Sequence, residues 1–238
     1  MNYQLIQFDK LASSNDYLKD NYEHLDDFTI CRCNYQTEGR GRNKRQWLAA
    51  KNENLLFSLL LLNKEIISKY KAISIVTAYS VLKVLEKYDL KGLAIKWPND
   101  VYVVDEKICG ILLEAISNNE LQCLIVGVGL NVNQTEFAVD NNPTSVSKVL
   151  KKQIDINSFQ YEIYDCLVNN INKLKDGHDF YEEIKAYDYL KGKKAYANID
   201  NEVKNVTVIG INEDYSLKVS HDGKQYDVET GEISFHID

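Results

Sequence analysis

Glycine and proline are scarce in this chain, 11 and 2 of 238 residues, so the places where they stand carry information. Gly39, Gly41, Gly110, Gly127 and Gly129 fall in three short segments between Gln36 and Asn133, together with Pro98 and both tryptophans, Trp47 and Trp97. Elsewhere the hydrophobic pattern sets the elements. Residues 3–8 alternate as a strand. Ser13-Ser14-Asn15-Asp16 then offers N-cap residues for a short helix to about Tyr22. Residues 29–35 read as a strand, 36–47 as a polar, basic loop, and 55–62 as a buried strand. Apolar positions over 65–87 recur at helical spacing and predict one long helix. Residues 94–97 form a strand stopped by Pro98. Runs 101–104 and 107–116 flank Asp105-Glu106 as a two-residue hairpin turn, and 121–132 is a strand entered through a turn at 117–120.

Loop is expected at 140–144 and helices at 145–150 and from 157 to about 175. Gly177 ends the latter, and a short helix to Leu190 follows. After Gly192 five short alternating runs (195–199, 203–211, 216–220, 225–229 and 233–237) predict a small closed β-barrel. Strands and helices do not alternate regularly, which disfavours a doubly wound parallel sheet. The expected fold is α+β: a mixed or antiparallel sheet packed with helices over 1–188, and a β-barrel over 189–238.

The balance of 28 basic against 35 acidic side chains, a net charge of −7, argues against a nucleic-acid partner. An apolar fraction of 45% excludes general disorder. No apolar stretch approaches the roughly 20 residues of a membrane span, and MNYQLIQFDK lacks the order of a signal peptide. The cysteines are odd in number, five, with no C-x-x-C pair. They read as small buried hydrophobes in a reducing, cytoplasmic setting. The four histidines stand at no ligand spacing.

Three segments carry chemistry. In the first, Gln36 to Trp47, Gly39 and Gly41 let backbone N–H groups approach a ligand, and Arg40, Arg42 and Arg45 supply cations for an anion. Taken alone the string is equally a solvated basic loop. In the second, Lys96-Trp-Pro-Asn99-Asp100 is followed by Lys107-x-x-Gly110. Two lysines and a carboxylate suit a phosphate with Mg²⁺, and Gly110 leaves room for a flat ligand on the sheet. A hairpin with incidental charges is the plainer alternative. In the third, Gly127-x-Gly129-x-Asn131 exposes strand backbone to a planar group, and Asn131 offers an amide to a base edge. By itself it is also a plain bulge, and it is no dinucleotide fingerprint.

Ser13-Ser14-Asn15, Gln36, Gly39-Arg40-Gly41-Arg42-x-x-Arg45-x-Trp47, the Lys96–Asp100 string, Lys107-x-x-Gly110-Ile-Leu and Gly127-x-Gly129-x-Asn131 occur in this order. Together they resemble the biotin protein ligases (biotin–[acetyl-CoA-carboxylase] ligases, holocarboxylase synthetases). The likeness runs from about Phe8 to Asn133. It implies the biotin/lipoate ligase fold, similar to class II aminoacyl-tRNA synthetases, with an SH3-like C-terminal barrel. It also implies an enzyme that makes biotinyl-5′-AMP from biotin and ATP with Mg²⁺, then biotinylates a lysine of a biotin carboxyl carrier domain. On that resemblance Lys107 and Arg42 are the catalytic cations. Ser13, Ser14, Asn15, Gln36, Gly39, Arg40, Gly41, Arg42, Lys107 and Gly110 bind biotin. Arg42, Arg45, Trp47, Lys96, Asn99, Asp100, Lys107 and Asn131 hold ATP or the adenylate, with Asp100 towards Mg²⁺.

Relatives often carry glycine where Lys44 stands and threonine where Ser14 stands; Ser14 keeps the hydroxyl. Some relatives carry an N-terminal winged-helix repressor domain. With the first strand at Tyr3, a monofunctional ligase without DNA binding is expected, monomeric or homodimeric. A lipoate or octanoyl transferase of the same fold class would show Arg-Arg-x-x-Gly-Gly-Gly, which is absent.

Overall fold

The computed structural model describes residues 3–138, 142–199, 202–229 and 233–234. In chain order its elements are β1 (Gln4–Phe8), α1 (Ser14–Asn21), β2 (Thr29–Cys33), β3 (Asn54–Leu61), α2 (Lys64–Ile67), α3 (Tyr70–Lys87), β4 (Leu93–Lys96), β5 (Asp100–Val103), β6 (Glu106–Asn118) and β7 (Glu120–Asn131). There follow α4 (Val146–Leu150), α5 (Ile156–Lys175), α6 (Tyr181–Lys185), β8 (Lys194–Ile199), β9 (Glu202–Ile211), β10 (Leu217–His221), β11 (Lys224–Val228) and β12 (Ile233–Ser234).

A seven-stranded mixed sheet in the order β1-β2-β3-β7-β6-β5-β4 organises the first part. β1 and β2 run parallel, connected through α1, and all other neighbours are antiparallel. Strand alternation assigns the two faces. Leu55, Phe57, Leu59 and Leu61 of β3 and Val126, Val128 and Leu130 of β7 join the core built on α3 and α5. Leu60, Cys123 and Ile125 point the other way, where they pack with Cys31 against Leu18 of α1. Further along that second face the same alternation brings Ser58, Gly127, Gly129 and Asn131. The face thus passes from apolar to small and polar, and there a cavity opens.

Several expectations are corrected. The predicted helix over 65–87 is two helices, broken at Ser68 and Lys69, where the Lys69 backbone leaves helical geometry (φ −95, ψ 25) and its Nζ reaches the carbonyls of Leu174 and Lys175 at the end of α5 (2.5 and 3.3 Å). The hairpin turn lies one residue early, at Val104 and Asp105. Val104 has φ +56 and is exposed, which leaves Val101 and Val103 buried. β6 and β7 run almost to their shared tip, Asn118 opposite Glu120, so the 117–120 turn shrinks around Asn119. The helix expected up to Leu190 ends at Lys185.

The last five runs form a separate antiparallel sheet in the order β11-β10-β9-β8-β12, curled so that β11 also lies against β8. Of the runs at 140–144 and 233–237, residues 140–141 and 235–237 lie outside the described residues. The approach to this sheet docks on edge strand β4. Ile95 N donates to Tyr187 O (2.7 Å) and Tyr189 N to Ile95 O (3.0 Å). Trp97, 3% exposed, donates through Nε1 to Tyr215 O at 2.8 Å. The second sheet therefore braces the turn that follows β4.

Candidate active site

The cavity, about 370 Å³, has a neutral end and a cationic end. Its size suits a small molecule. At the neutral end Ser13 caps α1, its Oγ accepting from Asp16 N, and the first helical turn presents Ser14 and Asn15, both buried. Gln36 Oε1 accepts from Ser14 N at 2.7 Å, and Ser14 Oγ lies 3.1 Å from the same oxygen. Ser58 Oγ is 2.6 Å from Ser14 Oγ and donates to Asn15 Oδ1 at 2.5 Å. A hydroxyl has one proton, so with Ser58 donating to Asn15, the single Ser14 proton serves either Gln36 Oε1 or Ser58 Oγ. Asn15 Nδ2 donates to Glu114 Oε2 at 2.6 Å. Gly127 is required here because a Cβ on it would collide with the Asn15 amide.

Glu114 also pairs with Lys19, and Asp16 binds Arg40 in a fork (Nη1 to Oδ2 2.7 Å, Nη2 to Oδ1 2.5 Å). The Arg40 hydrogen bonds hold the Asp16 carboxyl below its usual range. Arg40 is thus engaged with this chain's own acid while it lines the cavity.

The loop at 36–47 is folded as a small hairpin. Trp47 N donates to Gly39 O (2.9 Å) and Gly41 N to Arg45 O (2.8 Å) around a 3₁₀ turn, Arg42–Lys44, in which Asn43 has φ +55. The indole at its end lies flat on the sheet: a Cβ on Gly129 would be 2.5 Å from Trp47 Cε2, and one on Gly110 2.9 Å from Cζ3. The planar group over these two glycines in this structure is therefore Trp47. Trp47 Nε1 is buried without a hydrogen-bond partner.

At the cationic end two chain segments meet. Arg42 Nη1 donates to Asn99 Oδ1 at 3.1 Å, and Lys107 Nζ pairs with Asp100 Oδ2 at 2.7 Å. Asn99 is pinned to β6 in both directions, donating through Nδ2 to Ile111 O (2.6 Å) and accepting from Ile111 N (2.8 Å). The backbone of Lys107 is clamped by Asn142 O and Thr144 N, each at 2.9 Å. Lys96 stands over Tyr102, 5.1 Å from the ring centroid. Burial pulls Lys96 and Arg42 below their ordinary ranges, with Asp100 opposing in both cases. Arg42, Arg45, Lys96 and Lys107 line this end with Asp100 as the carboxylate among them, so the field favours a polyanion. Asn131 lines the cavity too; its Nδ2 donates one hydrogen bond to Thr144 O (2.9 Å), which orients an amide that still has a second N–H and an acceptor oxygen.

Arg42 and Lys107, far apart in sequence, thus converge on the adjacent residues Asn99 and Asp100. Ser13, Ser14, Asn15, Gln36, Arg40, Gly41, Arg45, Trp47, Lys96 and Gly110 line the same cavity. Gly39 sits behind it, where a Cβ would be 2.6 Å from Trp47 O. Sequence reasoning missed Ser58, Glu114, Asp16 and Lys19. Two of them leave a signal: Ser58 interrupts an apolar run, and Glu114 ends Ile-Leu-Leu on a strand.

The sequence matches the biotin/lipoate A/B protein ligase family over residues 7–131. The chain belongs to that family. The bifunctional ligase/repressor BirA of Escherichia coli is 31% identical over 123 residues, 51% of this chain and 38% of that protein, so the chain spans well under half of that relative. Biotin–protein ligase 2 of Arabidopsis thaliana is 29% identical over 250 aligned positions, covering 97% of this chain and 74% of that one. The structure of biotin protein ligase from Aquifex aeolicus in complex with biotin and ATP is similar over 99% of both chains, with a TM-score of 0.87 and 26% identity.

Within this biotin/lipoate ligase family member, two substitutions test the geometry. Ser58→Ala removes the donor to buried Asn15 Oδ1 and is expected to cost about 1–3 kcal/mol, measured by urea unfolding. Gly129→Ala places a methyl against the indole. It is expected to push Trp47 off the sheet, read as a red shift in tryptophan emission while Trp97 stays buried.

Proposed function

We propose that this protein is a biotin–protein ligase, with residues 1–188 as the catalytic unit and 189–238 as an accessory module, working in the cytoplasm. The observation that carries the reading is the convergence of Arg42 and Lys107 at one end of a cavity whose other end is the uncharged Ser14–Gln36–Ser58–Asn15 chain. A bicyclic urea with a carboxylate tail has that polarity: neutral donors and an acceptor at one end, an anion at the other.

Biotin lies with its ureido ring against Ser14, Asn15 and Gln36, and its carboxylate towards Arg42 and Lys107. A carboxylate oxygen attacks the α-phosphorus of ATP. The bond from that phosphorus to the bridging oxygen breaks, and pyrophosphate leaves with the electron pair. Lys107 and Arg42 stabilise the charge developing on the phosphoryl oxygens. Lys96 and Arg45 hold the remaining phosphates, and the hairpin ending in Trp47 keeps water from the mixed anhydride. A lysine amine of a biotin carboxyl carrier domain then attacks the acyl carbon and expels AMP. The amine and the biotin carboxylate are the nucleophiles, so no side chain of this protein forms a covalent bond.

The residues fit a Mg²⁺ that arrives with the nucleotide. Asp100 Oδ1 is buried without a hydrogen-bond partner, and Mg²⁺ is characteristically held by one or two carboxylates plus phosphates. Asp100 would hold the ion, which supplies neutralisation of phosphate charge. Among the described residues no cluster of three or more His, Cys, Asp or Glu side chains forms a metal cage.

The test is incubation with ATP, Mg²⁺ and either biotin or lipoate, followed by pyrophosphate release and mass spectrometry of an added carrier domain. Pyrophosphate with biotin and a biotinylated lysine are expected. Release with lipoate alone would convert the reading to a lipoate ligase. Biotin-dependent thermal stabilisation with no adenylate would mark a binding protein without catalysis.

A further inference from the structure

Lys193 precedes β8, on the segment that enters the second sheet. Its Nζ stands 3.2 Å from the centroid of the Tyr189 ring. Tyr189 stacks on Tyr102 of β5, centroids 4.8 Å apart and planes 29° from parallel. Lys96, which lines the cavity, rests on the same pair, 5.1 Å from one centroid and 5.9 Å from the other. Two ammonium groups sharing the Tyr189 ring lie within about 9 Å of each other, near one Debye length at physiological salt. The carboxylate paired with Lys193 is Asp105, 3.9 Å away, 70% exposed, and accepting also from Tyr189 Oη at 2.9 Å. That is a weak counter-charge for a lysine only 32% exposed. Burial pulls both lysines below their ordinary range. The backbone of Lys193 is fixed by Val208 N donating to its carbonyl (2.8 Å) and its own N–H donating to Leu190 O (2.9 Å). A stacked tyrosine pair that carries two lysine ammonium groups, one of them lining the cavity, concentrates positive charge there and favours an anion.

We propose that Lys193, contributed by the C-terminal module, is a further phosphate-binding residue that holds the part of the nucleotide departing as inorganic pyrophosphate. The proposal rests on the adenylating reading above and extends it. Lys96 and Arg45 hold the phosphates beyond the α-phosphate, and Lys193 adds a further cation on that departing portion. It gives the second sheet a direct part in the chemistry besides bracing Trp97.

Inorganic pyrophosphate is the probe, titrated by calorimetry into the full chain and into K193Q and K193R. K193Q is expected to weaken pyrophosphate binding about tenfold, the size of one lost charge-assisted hydrogen bond. K193R retains most of the affinity, and neither variant changes biotin affinity or melting temperature. Equal pyrophosphate affinity in K193Q and the unsubstituted protein overturns the proposal, and so does a K193Q variant that loses biotin affinity in parallel. Binding is read without turnover. A protein that holds pyrophosphate through Lys193 but makes no biotinyl adenylate would therefore sink the functional reading alone.

Discussion

Lys107→Ala is expected to slow biotinyl-adenylate formation by about 10²–10³-fold, the usual loss when one positioned electrostatic group leaves a reacting centre, and to leave biotin affinity nearly intact. The split follows from where Lys107 stands. Its Nζ meets Asp100 at 2.7 Å at the cationic end, whereas the Ser14–Gln36–Ser58–Asn15 chain lies at the other. Its backbone is held by Asn142 and Thr144 whatever the side chain, so alanine removes the charge and leaves the strand in place. Stopped-flow pyrophosphate release gives the rate, and calorimetry with biotin gives the affinity. Unimpaired turnover would remove Lys107 from the reaction. A fall in biotin affinity matching the fall in rate would make it a binding residue instead.

Trp97→Ala is expected to cost about 3–5 kcal/mol of stability, the range for large aromatic truncations in a core. The indole is 3% exposed and its N–H donates to Tyr215 O, so the same side chain fills the core and joins the two sheets. Tyr215 is fixed from behind. Its hydroxyl accepts from Phe180 N at 3.1 Å and donates to Asp179 at 2.9 Å. Trp97→Phe separates the two contributions: most apolar contact stays, and only the donor to Tyr215 O is lost, at about 1–3 kcal/mol. Urea unfolding monitored by circular dichroism measures both. If both variants unfold within about 0.5 kcal/mol of the parent, the surface-substitution range, Trp97 does not join the sheets.

Local signals located most elements because their apolar positions repeat with the period of a strand or a helix. Ser13 as N-cap, the strand after it and the alternating runs past Gly192 need only near neighbours to be recognised. The failures share a cause. The break at Lys69 coincides with a contact to carbonyls at Leu174 and Lys175, about a hundred positions away, which no local period encodes. Where the β5–β6 turn falls depends on which valines the core accepts.

The candidate site divides the same way. Arg42, Lys107, Asn99 and Asp100 were legible as residue types in ordered segments. Nothing local says that Arg40 is turned onto Asp16, that Asn131 is tied to Thr144, or that Trp47 covers Gly110 and Gly129. Ser58 and Glu114 look like interruptions of apolar strands until the pairing of β3, β7 and β6 sets them under Asn15.

The sequence alone determined the chemical inventory: which cations, amides and hydroxyls exist, in which order, and which stretches form strands and helices, since periodicity and capping act over a few residues. Only the tertiary structure decided which of those groups face one cavity and which neutralise one another. A charge answers to every partner within reach, and those partners come from strands and loops that are neighbours in space and strangers in sequence.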